Sequence, residues 1–288
     1  MVRHLLDRGL SVRALVRDPQ SARAKALADA GVEIARGDMN DFDSLKKAME
    51  GVLGVYSVQD YFAVGAAAEV QQGKNMADAA LEAGVAHFVY SSVGGAERKT
   101  GIPHFETKRE IETYIRKLRL PATMIRPVGF MENYYLPQLE GQLVKGRLFD
   151  PVRGNKPLQA IASDDIGKFI SLAFSQPDRF IGRELEIAGS ELTSLEAAEV
   201  FSRVLGRPVR VRHLPLPVVR INMGKEWYLM FTWMKKSGGF QADIPGLRRD
   251  YPGVRLTSLE DWLRREGWEG KRKISVKRDS MGRPITAA

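Results

Sequence analysis

Residues 86–126 read AHFVYSSVGGAERKTGIPHFETKREIETYIRKLRLPATMIR, and this stretch decides the fold. Ala86–Ser91 is a short apolar and aromatic run leading into Gly94-Gly95, which predicts a buried strand that ends in a loop. His104–Leu118 has helical spacing, and Pro103 stands at its start, where a missing N–H costs nothing. Ala122–Arg126 is the next strand, broken by Pro127. Strand, helix and strand in this order make a βαβ unit, whose strands lie parallel.

The same alternation continues upstream. Leu53–Val58 reads as a buried strand and Ala66–Ala83 as a long helix with Gly84 just past its end. Before them, Val2, Leu5 and Leu6 have helical spacing closed by Gly9, and Ser11–Arg17 alternates as a strand up to Asp18-Pro19. Ser21–Ala30 and Phe42–Met49 are helices on either side of a strand at Val32–Ala35. The fold expected is α/β, a doubly wound parallel sheet with right-handed crossovers. Beyond Gly146 the pattern loosens into helices at Asp164–Phe174 and Ser194–Leu205 and strands at Glu184–Ala188 and Val209–His213. An aromatic helix follows Pro215 and Pro217, and Thr257–Arg265 is a last one. These elements predict a smaller C-terminal α/β lobe. The organisation expected is a dinucleotide-binding domain over 1–145, to which the helix and strand at 163–188 return. Residues 146–162 and 189–270 form a substrate or partner lobe, and 271–288 form a disordered basic tail.

Composition removes several classes of chemistry. There is no cysteine, so disulfides, thiolate catalysis and cysteine-ligated metals are excluded. His4, His87, His104 and His213 lie far apart, and no metal site is expected. No apolar run approaches the roughly 20 residues that cross a bilayer, and Arg3, His4, Asp7 and Arg8 stand where a signal peptide needs apolar residues. A cytoplasmic location without membrane contact is expected. The net charge is +9, and residues 271–288 concentrate it, with Lys271, Arg272, Lys273, Lys277, Arg278 and Arg283 against Asp279. No aromatics interleave with these cations, so no nucleic-acid partner is expected.

A doubly wound sheet binds its ligand outside the carboxyl ends of its strands. Arg17 closes the strand Ser11–Arg17, where an arginine accommodates the 2′-phosphate of NADP and an acid holds the 2′-hydroxyl of NAD. Asp18 beside it points the other way, and Arg23 and Lys25 add positive charge. Gly37-Asp38-Met39-Asn40-Asp41 follows the next strand, where Asp38 can meet the adenine edge; the same residues are also common turn chemistry.

The runs HLLDRGLSVRALVRDP, GDMND, VYSSVGG, HFETKREIE and RPVGFMENY, in that order, resemble the NmrA-like branch of the short-chain dehydrogenase superfamily. The resemblance reaches to about Trp268. It implies a Rossmann fold, an NADP(H) cofactor with NADPH preferred over NADH, and a chain that works as a monomer or homodimer. It implies that Arg17 meets the 2′-phosphate, that Asp38 and Met39 meet the adenine, and that Gln59 lies along the nicotinamide with Tyr61 bordering the substrate. Ser91 and Ser92 then sit near the ring, at the place of the dehydrogenases' catalytic serine. Lys108 binds the nicotinamide ribose, Pro127, Val128, Gly129 and Phe130 face the carboxamide, and Asn133 borders the substrate cleft. The family includes NADPH-dependent quinone reductases and NADPH sensors that do not turn substrate over. Two functions are therefore expected as alternatives: an oxidoreductase acting on a quinone or similar conjugated carbonyl, and a redox sensor acting through a protein partner.

His104 and Lys108 stand at i and i+4 on one helix face. Short-chain dehydrogenases place a Tyr-x-x-x-Lys pair there, and here His104 takes the tyrosine's place. An imidazole can donate a proton near neutral pH but cannot act as a phenolate. His104 is thus either the catalytic acid or a residue lining the substrate cleft, beside Lys108 and Ser92 as the other catalytic candidates. Gly141–Arg147 (GQLVKGR) matches a phosphate-binding loop in outline but lacks its final Lys-Ser/Thr. The cluster Trp227, Tyr228, Met230, Phe231, Trp233 and Met234 is expected in a core or a dimer contact, with a lid over a planar substrate as the alternative. Asp165-Ile166-Gly167 matches a family segment with a structural role. No Gly-x-Gly-x-x-Gly loop occurs anywhere, and the chain opens in what resembles the family's first helix. The natural protein is expected to begin upstream of Met1.

Overall fold

Parallel strands need a crossover between them, and this chain supplies one after nearly every strand of its first half. The computed structural model describes residues 1–152 and 156–272. Two compact units divide the chain: 1–99, 103–126 and 167–185 form the first, and 100–102, 127–166 and the residues from 186 onward form the second.

The first unit begins with α1 (Val2–Leu6), β1 (Arg13–Val16), α2 (Ala22–Asp29), β2 (Glu33–Arg36), α3 (Phe42–Met49), β3 (Gly54–Ser57), α4 (Tyr61–Val64) and α5 (Ala66–Glu82). It continues with β4 (His87–Ser91), α6 (Pro103–Lys117) and β5 (Ala122–Pro127). β1 and β2 pair in parallel, as do β3 with β4 and β4 with β5. The sheet is the parallel one expected, in two ladders, one of β1-β2 and one of β3-β4-β5 extended by the later strand Glu184–Ile187, which no described strand joins. Burial follows the pairing. All five residues of β4 are buried, because both faces of this central strand are covered, Phe88 and Tyr90 by Met76 and Ile111 and His87 by Phe174, whereas Ala14, Leu15 and Val16 of β1 are only half-buried.

Leu45, Met76, Phe88, Tyr90, Ile111 and Ile115 form the core under this sheet. α5 and α6 meet at Gly73, where a Cβ would come within 2.6–2.8 Å of three Ile111 carbons. No other side chain allows that approach. Arg126 ties β5 to α6 through a two-pronged contact with Glu112, which is fully buried, at 2.8 and 2.6 Å.

After β5 come β6 (Gly129–Phe130), α7 (Pro137–Val144), β7 (Arg147–Asp150), β8 (Leu158–Ile161), α8 (Ser163–Ser175), α9 (Pro177–Phe180) and β9 (Glu184–Ile187). The chain ends with β10 (Ser190–Leu192), α10 (Ser194–Leu205), β11 (Arg210–His213), α11 (Leu216–Met223), α12 (Lys225–Ser237), α13 (Ile244–Asp250) and α14 (Leu259–Arg265). The second unit has its own sheets, β10-β8-β6 and β11-β7. Its core gathers Phe201, Trp262, Trp268 and Tyr135. α10 begins with a full capping box, in which Thr193 accepts from the Glu196 amide and Glu196 accepts from the Thr193 amide. Asp165 accepts from the Thr257 amide at 2.6 Å and its hydroxyl at 2.8 Å, the structural role the sequence suggested.

Two expectations change here. Lys271, assigned by sequence to the basic tail, is anchored: its Nζ lies 2.7 Å from buried Glu140 and over the Trp268 ring. The tail's remaining cations beyond Arg272 lie outside the described residues. The aromatic helix α12 is not a core helix, since only Met234 is buried along its length. No described helix is long and apolar enough to cross a membrane.

Candidate functional site

The carboxyl ends of β1 and β2 open onto a depression. Arg17, Arg36, Gly37, Asp38, Asp41 and Lys47 line it together with Asp43 and Ser44. Val16 pairs with Arg36 in the ladder, so the next residue, Arg17, leaves its strand beside Arg36. None of Arg17, Arg36 and Lys47 is in an ion pair among the described residues. The aspartates are occupied locally. Asp38 accepts from the Asn40 amide and side chain at 2.8 Å each, and Asp41 caps α3 by accepting from the Ser44 amide. The depression thus keeps three uncommitted cations while its carboxylates hold the turn together. Arg36 and Lys47 were not singled out in the sequence, because a strand-end arginine and a helix lysine read as solvated charges.

The ends of β3 and β4 and the first turns of α5 and α6 build a second, buried cluster. Lys108 Nζ donates to the Gln59 carbonyl at 2.8 Å and lies 2.8 Å from the Glu69 carboxylate. Thr107 donates its hydroxyl to the other Glu69 oxygen. Gly73, one turn beyond Glu69, is what lets α5 bring that carboxylate against α6. Burial pulls the Lys108 amine below its ordinary pKa, and the neighbouring Glu69 charge opposes the shift. Three groups of this cluster have polar atoms with no partner: Gln59 Oε1, Ser92 Oγ and the Tyr90 hydroxyl, all buried. Gln59 Nε2 donates to Ser57 at 2.8 Å, with Met39 sulfur 3.7 Å away. Ser91 hydrogen-bonds Tyr56, whose phenol burial raises. Burial also raises the Tyr90 phenol, with Glu69 and Glu112 adding to it, so it stays protonated.

His104 stands at the first turn of α6 among rings. Its centroid is 4.8 Å from Phe105, 5.3 Å from Phe62 and 5.7 Å from Tyr61. Asp60 starts the short helix carrying Tyr61 and Phe62 by accepting from the Phe62 and Ala63 amides. The structure therefore brings Gln59 to Lys108 and Tyr61 to His104, through one loop after β3. Glu69 and Thr107, the partners that hold Lys108, are absent from the sequence reading.

The second unit has a cleft of about 180 Å³. Phe130, Leu143, Trp227, Met230 and Phe231 wall it, and Gly129 and Asn133 face it. Gly129 and Phe130 come straight from β5 through Pro127 and buried Val128. Of the α12 aromatics, Trp227 and Phe231 thus line the cleft rather than fill a core. Their half-burial is what an open apolar surface gives. Gln142, also in the wall, has a buried side-chain oxygen without a partner. Among the described residues no group of three or more His, Asp or Glu is placed to hold a metal ion.

The model of the NmrA-like family matches residues 1–263. An NmrA-like family domain-containing protein of Dictyostelium discoideum is 28% identical, over 92% of either chain. An NAD(P)H azoreductase of Xenophilus azovorans is 29% identical, over 73% of this chain and 71% of its own. Among solved structures, an NADPH-dependent quinone oxidoreductase from Escherichia coli, in complex with NADPH, superposes with a TM-score of 0.76. That protein is 21% identical, with 92% of this chain and 94% of the other covered, a likeness of fold. The parallel βαβ architecture, the strand-end cations and the family match agree: this chain belongs to the NmrA-like family.

Proposed function

We propose that the chain is an NADP(H)-dependent oxidoreductase that prefers NADPH over NADH and reduces a small planar electrophile, a quinone or similar conjugated carbonyl. The observation that carries this reading is the apolar cleft walled by Phe130, Trp227 and Phe231, flat aromatic faces suited to stacking on a conjugated ring. The residues present fit the cofactor at its two ends. The three uncommitted cations beside Asp38 suit an adenosine ribose that bears a 2′-phosphate, and Arg17 is supported there by Arg36 and Lys47. The unpartnered Ser92 hydroxyl and Gln59 oxygen, beside Lys108, suit a ribose and a carboxamide, which need donors and acceptors that the protein has not already used.

NADPH, when bound, supplies the hydride. Every other task falls to this chain's residues. Lys108 has one N–H beyond those directed at Gln59 and Glu69, and it offers that donor to a ribose hydroxyl. Glu69 aims the Lys108 amine and opposes the pull of burial on its pKa. Ser91, hydrogen-bonded to Tyr56, is held at the end of β4, and Ser92 beside it keeps a free hydroxyl for the carboxamide end. Pro127, Val128, Gly129 and Phe130 carry the chain from β5 into the cleft wall, and Asn133 offers a polar contact there. His104 either gives a proton to the reduced product or, packed by Tyr61 and Phe62, only shapes the substrate's surroundings.

Turnover of NADPH with a panel of benzoquinones and naphthoquinones tests the reading. Saturable oxidation of NADPH is expected, with kcat/KM in the His104→Ala variant lowered by about 10²-fold if His104 is the acid. Tight NADPH binding with no turnover of any quinone would instead mark a redox sensor acting through a protein partner.

A further inference from the structure

We infer that the cleft of the second unit takes a flat apolar ligand carrying an acidic substituent, and that Arg147 binds the acid. The inference rests on the reading of that cleft as a substrate site and narrows its substrate class. Among the described residues lining the cleft, Arg147 is the one that carries charge. Its guanidinium is exposed and takes part in no ion pair among those residues. Everything else in the wall is apolar or neutral.

The position of this arginine is built rather than incidental. Gly146 turns the chain from α7 into β7 at φ +72°, and a Cβ there would come 2.8 Å from the Pro208 carbonyl oxygen. The Arg210 amide donates to the Gly146 carbonyl at 2.9 Å. These contacts start the β7-β11 ladder so that Arg147 pairs with Arg210, and Phe149 with Arg212. Paired residues of a parallel ladder point to the same side, so Arg210 and Arg212 share the face of Arg147 and Phe149. Neither of the added arginines is in an ion pair among the described residues. Like charges directly opposite one another destabilise a sheet, and an anion laid against them relieves the repulsion. A guanidinium receives a carboxylate or sulfonate through two parallel N–H bonds, a geometry an ammonium cannot supply.

Size and polarity define the rest of the ligand. A cavity of about 150 Å³ with apolar walls accommodates a benzene ring. A cleft of about 180 Å³ therefore suits one or two fused rings. The ring system lies against Trp227, Phe231 and Phe130, and its acid reaches the exposed edge at Arg147. The unpartnered Gln142 oxygen accepts from a hydroxyl or amine on the ring. Cationic aromatics of the same size are disfavoured, because they would place their charge against Arg147.

Calorimetric titration of the full chain with naphthalene-2-sulfonate, naphthalene-2-sulfonamide and a 2-naphthyl quaternary ammonium tests this without requiring turnover. The sulfonate is expected to bind about tenfold more tightly than the sulfonamide, the gain of a charge-assisted contact, and the quaternary ammonium more weakly than either. In Arg147→Gln the sulfonate's advantage over the sulfonamide disappears, and in the unaltered chain it shrinks as salt is raised. Equal affinities for the sulfonate and the sulfonamide, or an advantage that survives Arg147→Gln, would overturn the inference. Parallel turnover of 1,2-naphthoquinone and its 4-sulfonate separates it from the function reading. Reduction of both quinones at the same kcat/KM removes the acid site and leaves the reductase. Sulfonate-selective binding with no reduction does the reverse.

Discussion

At the scale of single residues, the most constrained group is the pair Glu69–Lys108. Both are buried, and a buried ion pair is held less by its own strength than by the cost of breaking it. Glu69→Gln leaves the Lys108 ammonium uncompensated and is expected to lower stability by about 3 kcal/mol at pH 7. With Glu69 gone, the amine's pKa falls further in the folded chain while the unfolded value stays ordinary. The folded state then binds fewer protons than the unfolded one, so the variant's deficit grows as pH falls and shrinks as pH rises toward the lysine range. Urea unfolding at pH 7 and pH 9.5 measures both. The double variant Glu69→Gln/Lys108→Met is expected to be more stable than Glu69→Gln alone, since it removes the stranded charge. His87 titrates in a second, separate way. Burial lowers its pKa to about 4, and its Nε2 meets Thr123 Oγ1 at 2.7 Å. Thr123 donates to the Phe180 carbonyl at 2.7 Å, so its oxygen accepts and His87 is the neutral donor. The unfolded imidazole takes up a proton near pH 6.5, so stability contributed by the neutral form is present above that pH and is lost as pH falls toward 4, by up to about 3 kcal/mol. That part of the acid sensitivity is expected to be absent from His87→Gln unfolding curves.

At the scale of elements, the meeting of α5 and α6 positions the buried cluster. Gly73→Ala inserts a methyl into space held by Ile111, and overpacking of this kind costs about 1–3 kcal/mol. Ile111→Ala leaves a cavity on its own, yet the two changes together are expected to cost less than the sum of their separate effects, as double-variant unfolding would show. This contact also marks where sequence stopped being readable. The helices at 66–83 and 104–118 and the strand between them were legible, because periodicity and terminal glycines or prolines mark each element locally. Which residues of the two helices touch was not, because nothing local distinguishes a glutamate facing solvent from Glu69 facing Lys108. Arg17 and Lys108 were singled out by their order along the family's pattern, whereas the neighbours the structure gives them, Arg36 and Thr107, and the cleft residue Arg147 depend on register or helix approach. The core reading of α12 failed for a related reason: an aromatic-rich helix looks alike in composition whether its rings fill a core, meet a second copy or line a cleft. Short strands such as β6 and β10 carry too few residues to show a period at all.

For the whole molecule, the central proposal is that this member of the NmrA-like family binds NADP(H) through the strand-end cations of its first unit and prefers NADPH. The pyrophosphate's usual glycine loop is not part of this sequence, so the claim leans on the two ends of the cofactor, and above all on Arg17 with Arg36 and Lys47. The measurement that tests it most directly is a side-by-side titration of the chain and its Arg17→Ala variant with NADPH and NADH, read by the nicotinamide fluorescence. The account predicts saturable NADPH binding at least about tenfold tighter than NADH, and loss of that preference in Arg17→Ala with NADH affinity little changed. Equal affinity for the two nucleotides, or an NADPH preference untouched by Arg17→Ala, would contradict it.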